Sequence, residues 1–256
     1  MRWRLLTTPP LDGPGNMAMD HALMARARHG GEAVLRVYEW SAPVLSLGRN
    51  QRARGVYVDQ VLESRGIAVV RRPTGGRALL HHREITYSLT APASAREPLG
   101  VMYRRVNALL IEALSALGVA GVLARPSSRS QPPTAMPCFA EPSAGEIVVE
   151  GRKLIGSAQW RDDGALLQHG SILVHDDQAL LPLLMHDASH SVPSPATLHE
   201  LLGRAPRAAE LADALFAAVR STEDPFAAPL TDAEVGALDT SRFVHHYLSA
   251  AWTWRR

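Results

Sequence analysis

Lysine and cysteine are almost absent from this sequence. Of the 27 lysine and arginine residues, 26 are arginine, so Lys153 is the only lysine, and Cys138 is the only cysteine. A single cysteine excludes an intrachain disulfide and a zinc site built from clustered cysteines. Of the two basic side chains, only the lysine amine can lose its proton near neutral pH, whereas the arginine guanidinium stays charged. A lysine retained among so many arginines is therefore a candidate for chemistry. The alternative is a coding bias towards arginine, with Lys153 retained by chance.

Long hydrophobic runs are also lacking. No apolar run approaches the roughly 18 to 20 residues that span a bilayer, and residues 1–10 contain no apolar stretch of signal-peptide length. Aromatic residues make up 5% of the chain and the net charge is only +2, which makes nucleic acid a poor candidate partner. The 256 residues suffice for one large domain with a full core. We therefore expect a cytoplasmic protein with a single domain over residues 1–256 and no membrane partner.

Strand patterns dominate the first two thirds of the chain and helical patterns the rest. Short apolar or alternating runs predict strands at 33–40, 44–47, 67–70, 84–89, 146–149, 154–160 and 165–174. Helical spacing predicts helices at 16–28 with Asn16 as N-cap, 58–64, 102–117, 194–202 and 208–221, and a capping box at Thr231 and Glu234. The order predicts an α+β fold, a mixed β-sheet flanked by helices, with a helical C-terminal part over about 176–256.

A glycine pair follows one of the buried strands. Gly75 and Gly76 lie within the segment 71–81, and such a pair lets a backbone approach a ligand closely with its N–H groups exposed. The segment matches neither the dinucleotide-binding nor the P-loop pattern. Arginines on both sides favour binding of an anion or an extended chain over a plain turn between two strands, which is the alternative.

The lone cysteine and the lone lysine lie close together in sequence. A thiolate is the nucleophilic form of cysteine, and a nearby ammonium stabilises it, so Cys138 and Lys153 fit covalent acyl transfer. His169 could serve as a base, although a strand histidine more often packs or forms hydrogen bonds. A cysteine buried in the core is the alternative for Cys138. Adjacent histidines at 81–82 and 245–246 point apart, so we expect no metal site.

Four motifs occur in the order found in one enzyme superfamily. They are Arg71-Arg-x-Thr-Gly-Gly ending at His81, Cys138-Phe-x-x-Pro-Ser143, Glu150-Gly-Arg-Lys-x-x-Gly-Ser-Ala-Gln159 and Leu167-Gln-His-Gly-Ser-Ile172. With them the chain resembles the biotin and lipoate protein ligase superfamily, and within it the cysteine-dependent octanoyltransferases that start lipoate assembly. Similar flanks at 16–20 and 252–256 extend the resemblance over nearly the whole chain.

The resemblance implies a fold, a reaction and a set of site residues. The fold is that of the biotin ligase catalytic domain, with a tunnel for an acyl chain. Cys138 takes octanoate from octanoyl acyl carrier protein as a thioester, while Lys153 favours the thiolate and polarises the acyl carbonyl. The acceptor is a lysine of a lipoyl-type protein such as glycine cleavage H protein, and neither ATP nor a cofactor is required. The substrate-binding residues implied are Arg72, Thr74, Gly75, Gly76, His81, Gly156, Ser157, Ala158, His169 and Gly170.

Other functions on the same fold stay open. Arg77 stands where lipoate ligases usually carry a third glycine, which suits the octanoyltransferases, whereas residues 48–51 are closer to lipoate ligases. The alternatives are an ATP-dependent lipoate ligase, an amidotransferase that moves octanoate between acceptor proteins, and a non-catalytic acyl-binding protein.

Positive charge is concentrated in one segment. Residues 71–105 contain seven arginines and two acidic residues, and we expect part of this charge to steer acidic carrier proteins. The alternative is a solvated face with internal ion pairs.

Overall fold

The computed structural model describes residues 1–94, 96, 98–125, 138–139, 143–187 and 193–256. The strands are β1 (Arg2–Thr7), β2 (Glu32–Tyr38), β3 (Val44–Leu47), β4 (Ala68–Arg71), β5 (Leu79–His81), β6 (Glu84–Pro92), β7 (Val122–Leu123), β8 (Ile147–Val149), β9 (Arg152–Asp162), β10 (Ala165–Leu173) and β11 (Ala228–Pro229). The helices are α1 (Gly13–Gly30), α2 (Asp59–Ser64), α3 (Leu99–Ala116), a 3₁₀ helix (Gln178–Leu184), α4 (Leu198–Leu202), α5 (Ala208–Thr222), α6 (Asp232–Gly236), α7 (Ser241–Leu248) and α8 (Ala250–Thr253).

A mixed sheet of eight strands forms the centre of the fold. Its spatial order is β11-β1-β2-β6-β10-β9-β8-β7. Strand β1 pairs in parallel with β2 and β11, and the other neighbours are antiparallel. Strand β10 lies between β6 and β9, and every one of its residues is buried. The predicted α+β fold with a mixed sheet and flanking helices is confirmed.

A second, smaller sheet positions the glycine pair. Its order is β4-β3-β5, and the connection from β4 to β5 carries residues 72–78. At the end of β4, Arg71 is fully buried and donates hydrogen bonds to the carbonyl oxygens of Gly48, Gln51 and Thr253. Those bonds tie the beginning of the glycine loop to the loop at 48–51 and to α8.

Helices cover the large sheet with their apolar faces. In α3 the buried residues include Val106, Leu110 and Leu114, which repeat at helical spacing and belong to the main core together with α5. The helix begins three residues before the predicted start, directly after Pro98. The capping box of Thr231 and Glu234 at the start of α6 is confirmed.

The predicted N-cap of the first helix is wrong. Asp12 caps α1, because its carboxylate accepts a hydrogen bond from the Gly15 N–H at 2.8 Å. Asn16 instead lies inside the helix, fully buried, and its side-chain amide donates to the carbonyl oxygens of Leu11 and Glu39. Asparagine is a common N-cap residue, so the sequence alone does not distinguish a cap from a buried asparagine that bonds to two backbone carbonyl groups.

Some element boundaries also differ from the expectation. The helix expected from residue 194 begins at Leu198, because Thr197 is the N-cap that accepts from the Glu200 N–H. Four strands were not predicted, namely β1, β5, β7 and β11.

Within the described part of the chain, no helix combines the length and the apolar character needed to cross a membrane.

Candidate active site

One cavity brings most of the predicted site residues together. It has a volume of about 540 Å³ and is lined by β9, β10, the glycine loop and the cysteine segment. Eleven of the twelve predicted residues lie in its wall: Arg72, Gly75, Gly76, His81, Cys138, Lys153, Gly156, Ser157, Ala158, His169 and Gly170. The twelfth, Thr74, is buried behind the wall, where its hydroxyl lies 2.6 Å from Nε2 of His169.

Cys138 and Lys153 are in direct contact. The Lys153 ammonium donates to the carbonyl oxygen of Cys138 at 2.7 Å, and its Nζ lies 3.5 Å from the Cys138 Sγ. Cys138 is partly exposed, and its N–H donates to the carbonyl oxygen of Ala78 at 2.9 Å. The thiol therefore faces the cavity between an ammonium and the strand that begins at Leu79.

Glu146 completes this group, and sequence reasoning missed it. Its Oε1 lies 2.7 Å from Nζ of Lys153, and both side chains are buried. Its Oε2 accepts from the Ser143 N–H at 2.7 Å, so the same carboxylate holds the chain that follows the cysteine. A single glutamate ahead of a short strand carries no signal in the sequence.

Two glycines make room for these contacts. A Cβ at Gly156 would lie 2.9 Å from Cε of Lys153, closer than side chains pack. A Cβ at Gly170 would lie 2.6 Å from the Ser157 Oγ and from the Tyr87 ring. The hydroxyls of Tyr87 and Ser157 are 2.7 Å apart, and burial raises the pKa of Tyr87 to about 12.

The glycine loop folds around a buried arginine. Arg72 donates to the carbonyl oxygens of Gly75 and Arg77 at 2.8 and 2.7 Å, and to that of Ser46 at 3.0 Å. Gly76 has a φ of 95°, and a Cβ there would lie 2.7 Å from the Arg72 guanidinium. Only glycine suits that position.

His169 belongs to a buried polar cluster beneath the cavity. Its Nδ1 lies 3.3 Å from Oδ2 of Asp20, whose Oδ1 accepts from Arg36 at 2.8 Å and from Ser88 at 2.7 Å. Burial alone would raise the pKa of Asp20, but the Arg36 guanidinium and the hydrogen bonds lower it below its usual value. Burial lowers the pKa of His169 despite the nearby Asp20 carboxylate. The His169 ring is held on both sides, by Asp20 and by Thr74, and to act as a base it would first have to leave the Thr74 hydroxyl.

A second histidine lies in a separate part of the wall. Nδ1 of His81 is 2.7 Å from Oε1 of Glu84, and the ring stacks on Trp40 with centroids 3.8 Å apart. Trp40 donates to the Thr86 hydroxyl at 2.8 Å. Sequence reasoning missed several wall residues that arrive from distant elements, namely Met17, Tyr38, Trp40, Thr86 and Tyr103.

Much of the positive charge expected to steer partners is used internally. Arg71 and Arg72 are buried against carbonyl oxygens, Arg83 lies 2.6 Å from Asp177, and Arg105 pairs with Glu223. Three other arginines of this segment remain on the cavity wall or the surface, namely Arg77, Arg96 and Arg104. Among the described residues, no group of three or more histidine, cysteine or acidic side chains is placed to hold a metal ion.

Known sequences match this chain over most of its length. The family described as lipoyl protein ligase A/B catalytic domain matches residues 12–220. The octanoyltransferase LipM of Kyrpidia tusciae is 45% identical over 192 residues, which cover 71% of this chain and 70% of that protein. The octanoyltransferase LipM of Moorella thermoacetica is 36% identical over an alignment that covers 99% of this chain and 98% of that protein.

Solved structures of lipoate protein ligases share the fold. One from T. acidophilum with bound lipoic acid superposes with a TM-score of 0.78 at 22% identity, covering 99% of this chain and all of that one. A lipoate-protein ligase A bound with ATP has the same TM-score and identity and covers 99% of each chain. The resemblance seen in the sequence motifs is confirmed, and the chain belongs to the lipoyl protein ligase A/B catalytic domain family.

Proposed function

We propose that this octanoyltransferase of lipoate biosynthesis works through an acyl thioester on Cys138. The donor is octanoyl acyl carrier protein, and the acceptor is a lysine of a lipoyl-type protein such as glycine cleavage H protein. The octanoyltransferase relatives support the activity. The observation that carries the proposal is the 3.5 Å contact between the Lys153 Nζ and the Cys138 Sγ in the wall of the cavity.

The first step exchanges one thioester for another. The Cys138 thiolate attacks the acyl carbonyl of the donor, a C–S bond forms to Cys138, and the donor's thiolate leaves and takes up a proton. The buried ammonium of Lys153 already donates to the Cys138 carbonyl and lies near its sulfur, so it is placed to stabilise charge at the reacting atoms.

The second step forms an amide. The acceptor lysine attacks the Cys138 thioester as a free amine, a C–N bond forms, and the cysteine sulfur leaves as a thiolate that takes up the proton lost by the amine. Both the donor and the intermediate are thioesters, so the acyl group is activated throughout and ATP has no role.

The remaining wall of the cavity suits an acyl chain. Leu79, Met17 and Tyr103 contribute apolar surface, and Gly75, where a Cβ would meet no atom within 4 Å, leaves the backbone accessible there. A volume of about 540 Å³ lies within the range of small-molecule sites. We place the octanoyl chain in this cavity, with its carbonyl at Cys138.

The test is acylation in the absence of ATP. Incubation with octanoyl carrier protein alone should add one octanoyl mass to the protein, and peptide mass spectrometry should place it on Cys138. Cys138→Ser should neither acquire a thioester nor transfer octanoate. Labelling of the acceptor that requires ATP and free octanoate, and that survives in Cys138→Ser, would establish the ligase reaction instead.

A further inference from the structure

Five arginines cluster where two distant segments of the chain meet. This arginine patch comes from the loop after β3 and from the residues after α8, and it consists of Arg49, Arg52, Arg54, Arg255 and Arg256. The N–H groups of Ala53 and Arg54 donate to the main-chain oxygen of Arg256 at 3.0 and 3.2 Å. The Arg255 guanidinium donates to the carbonyl oxygen of Arg49. Both backbone and side-chain hydrogen bonds therefore hold the arginine patch together.

The arginine patch has no acidic partner within the part of the chain that the structure describes. Residues 40–58 and 240–256, which contain the patch, include neither aspartate nor glutamate. No ion pair of the described residues involves an arginine of the patch. Three of its side chains are exposed, namely Arg52, Arg54 and Arg256. Their charge therefore faces solvent without a neutralising acidic side chain.

The other two arginines of the patch lie on an aromatic ring. The guanidinium carbons of Arg49 and Arg255 are 5.7 and 4.2 Å from the ring centroid of Trp252. The Trp252 N–H donates to the carbonyl oxygen of the buried Arg71 at 2.7 Å, which fixes the ring. Burial, followed by the charges of Arg49 and Arg256, lowers the pKa of Arg255. The arginine patch thus holds like charges at close range, and an anionic partner would relieve their repulsion.

The arginine patch adjoins the cavity through the glycine loop. The Arg49 N–H donates to the carbonyl oxygen of Thr74 at 2.8 Å. The preceding residue, Gly48, lies so close to the loop that a Cβ there would be 1.9 Å from the carbonyl oxygen of Gly76. The Arg49 guanidinium also lies 5.0 Å from the ring of Trp160 on β9, a strand that lines the cavity. A partner bound to the arginine patch would therefore lie next to the cavity wall.

We propose that the arginine patch is the docking surface for an acidic face of the lipoyl-type acceptor protein. This inference rests on the proposed function for the identity of the partner and goes beyond it in placing that partner on the enzyme. A lysine side chain has a stem of only four carbons, so the acceptor must bring its own surface against the enzyme beside the cavity. Complementary charge at that place speeds the encounter and fixes the orientation of the two proteins.

The test is the binding of glycine cleavage H protein, measured by isothermal titration calorimetry in the absence of any acyl group. In Arg52→Gln with Arg54→Gln and Arg256→Gln, the dissociation constant at about 20 mM salt should rise by about tenfold or more. The natural protein should show a similar rise between about 20 and 300 mM salt, because exposed charges are then screened, and this needs no substitution. Failure of the natural protein to bind at low salt, or an unchanged dissociation constant in the folded variant, would overturn the inference.

A matched variant removes the same charge from another part of the surface. Arg2→Gln with Arg104→Gln and Arg220→Gln replaces three exposed arginines of β1, α3 and α5, and its dissociation constant should stay within about twofold of the natural protein's. An equal rise in both variants would show that net charge alone matters, and would overturn the inference.

Octanoyl carrier protein is the second probe of the arginine patch. If the patch variant weakens binding of this donor more than binding of the acceptor, the patch belongs to the donor and the inference is overturned. Normal binding of the acceptor by a protein that forms no thioester on Cys138 would instead count against the proposed function alone.

Discussion

Two buried pairs that join a carboxylate to an arginine or a lysine lie near the cavity, and the pair formed by Lys153 contacts Cys138, the proposed nucleophile. Arg36 and Asp20 are 2.8 Å apart with both side chains fully buried, and Lys153 and Glu146 are 2.7 Å apart. Arg36 is not part of the cavity wall, and its other donors bond to Thr8 and Asn16. Lys153 keeps donors directed at Cys138.

The difference shows that a buried ion pair is not by itself evidence of a functional site. The Arg36 pair joins α1 to β2 and, through Asp20, to Ser88 on β6 and His169 on β10. Its effect should appear in stability. The Lys153 pair joins two segments at Cys138, the proposed nucleophile, so its effect should appear in rate. The following variants separate these two roles.

Asp20→Asn should give the largest loss of stability. It leaves the Arg36 guanidinium buried without its carboxylate, and a broken buried pair costs about 3–5 kcal/mol. Urea denaturation followed by circular dichroism measures the change. Glu200→Gln, which removes an exposed partner of Arg152, is the control and should change stability little. If Asp20→Asn lowers the free energy of unfolding by less than about 1 kcal/mol, the Arg36 and Asp20 pair does not have the stabilising role assigned to it.

Lys153→Arg should lower the rate of octanoyl transfer by roughly a hundredfold or more, and overpacking of this buried position should cost about 1–3 kcal/mol of stability, less than the loss in Asp20→Asn. The guanidinium is larger and planar, and the Cε of Lys153 already lies 2.9 Å from the position of a Cβ on Gly156. Single-turnover transfer from octanoyl carrier protein gives the rate, with a urea titration as the folding control. A near-normal rate of octanoyl transfer in this variant would show that the reaction does not need Lys153 itself.

His21, the residue after Asp20 on α1, should make a smaller and pH-dependent contribution to the stability of the native protein. Its ring stacks on Phe243, and burial, followed by nearby arginines and His246, lowers its pKa to about 4. The unfolded chain binds this proton near pH 6.5 and the native protein does not, so native stability should fall as the pH drops from about 6.5 to 4.

Replacement of that ring isolates the contribution. His21→Phe should flatten the fall in stability over this pH window by about 1–2 kcal/mol, because the ring is only partly buried. The free energy of unfolding measured at several pH values tests this, with the exposed His29→Gln as the matched variant. An equal slope in His21→Phe and the natural protein would show that the ring contributes nothing to the pH dependence.

The sequence predicted the long periodic elements well and the short ones poorly. Helices α3 and α5 differ from the prediction only at their ends, and the strand at 44–47, although only four residues long, has the predicted bounds. Strands β5, β7 and β11 have three residues or fewer, too few for a period to be visible. Strand β1 was missed because its two arginines interrupt the apolar run and find their acidic partners far along the chain, at Glu32 and Glu234.

The candidate site could be predicted from the sequence where a residue type is scarce or a motif is specific. Cys138 and Lys153 stand out because each is unique in the chain, and the glycines stand out because they belong to motifs. Glu146 and Asp20 do not stand out, since acidic residues are common. Their proximity to Lys153 and His169 follows from strand register and helix packing, which join residues up to 149 positions apart.

The most direct test of the central claim is a chase experiment on the isolated acyl-protein. Protein acylated on Cys138 is freed of donor and mixed with the lipoyl-type acceptor in the absence of ATP. We predict that octanoate leaves Cys138 and appears on the acceptor lysine at least as fast as the overall transfer. A thioester that only hydrolyses, while the acceptor stays unmodified, would contradict the account.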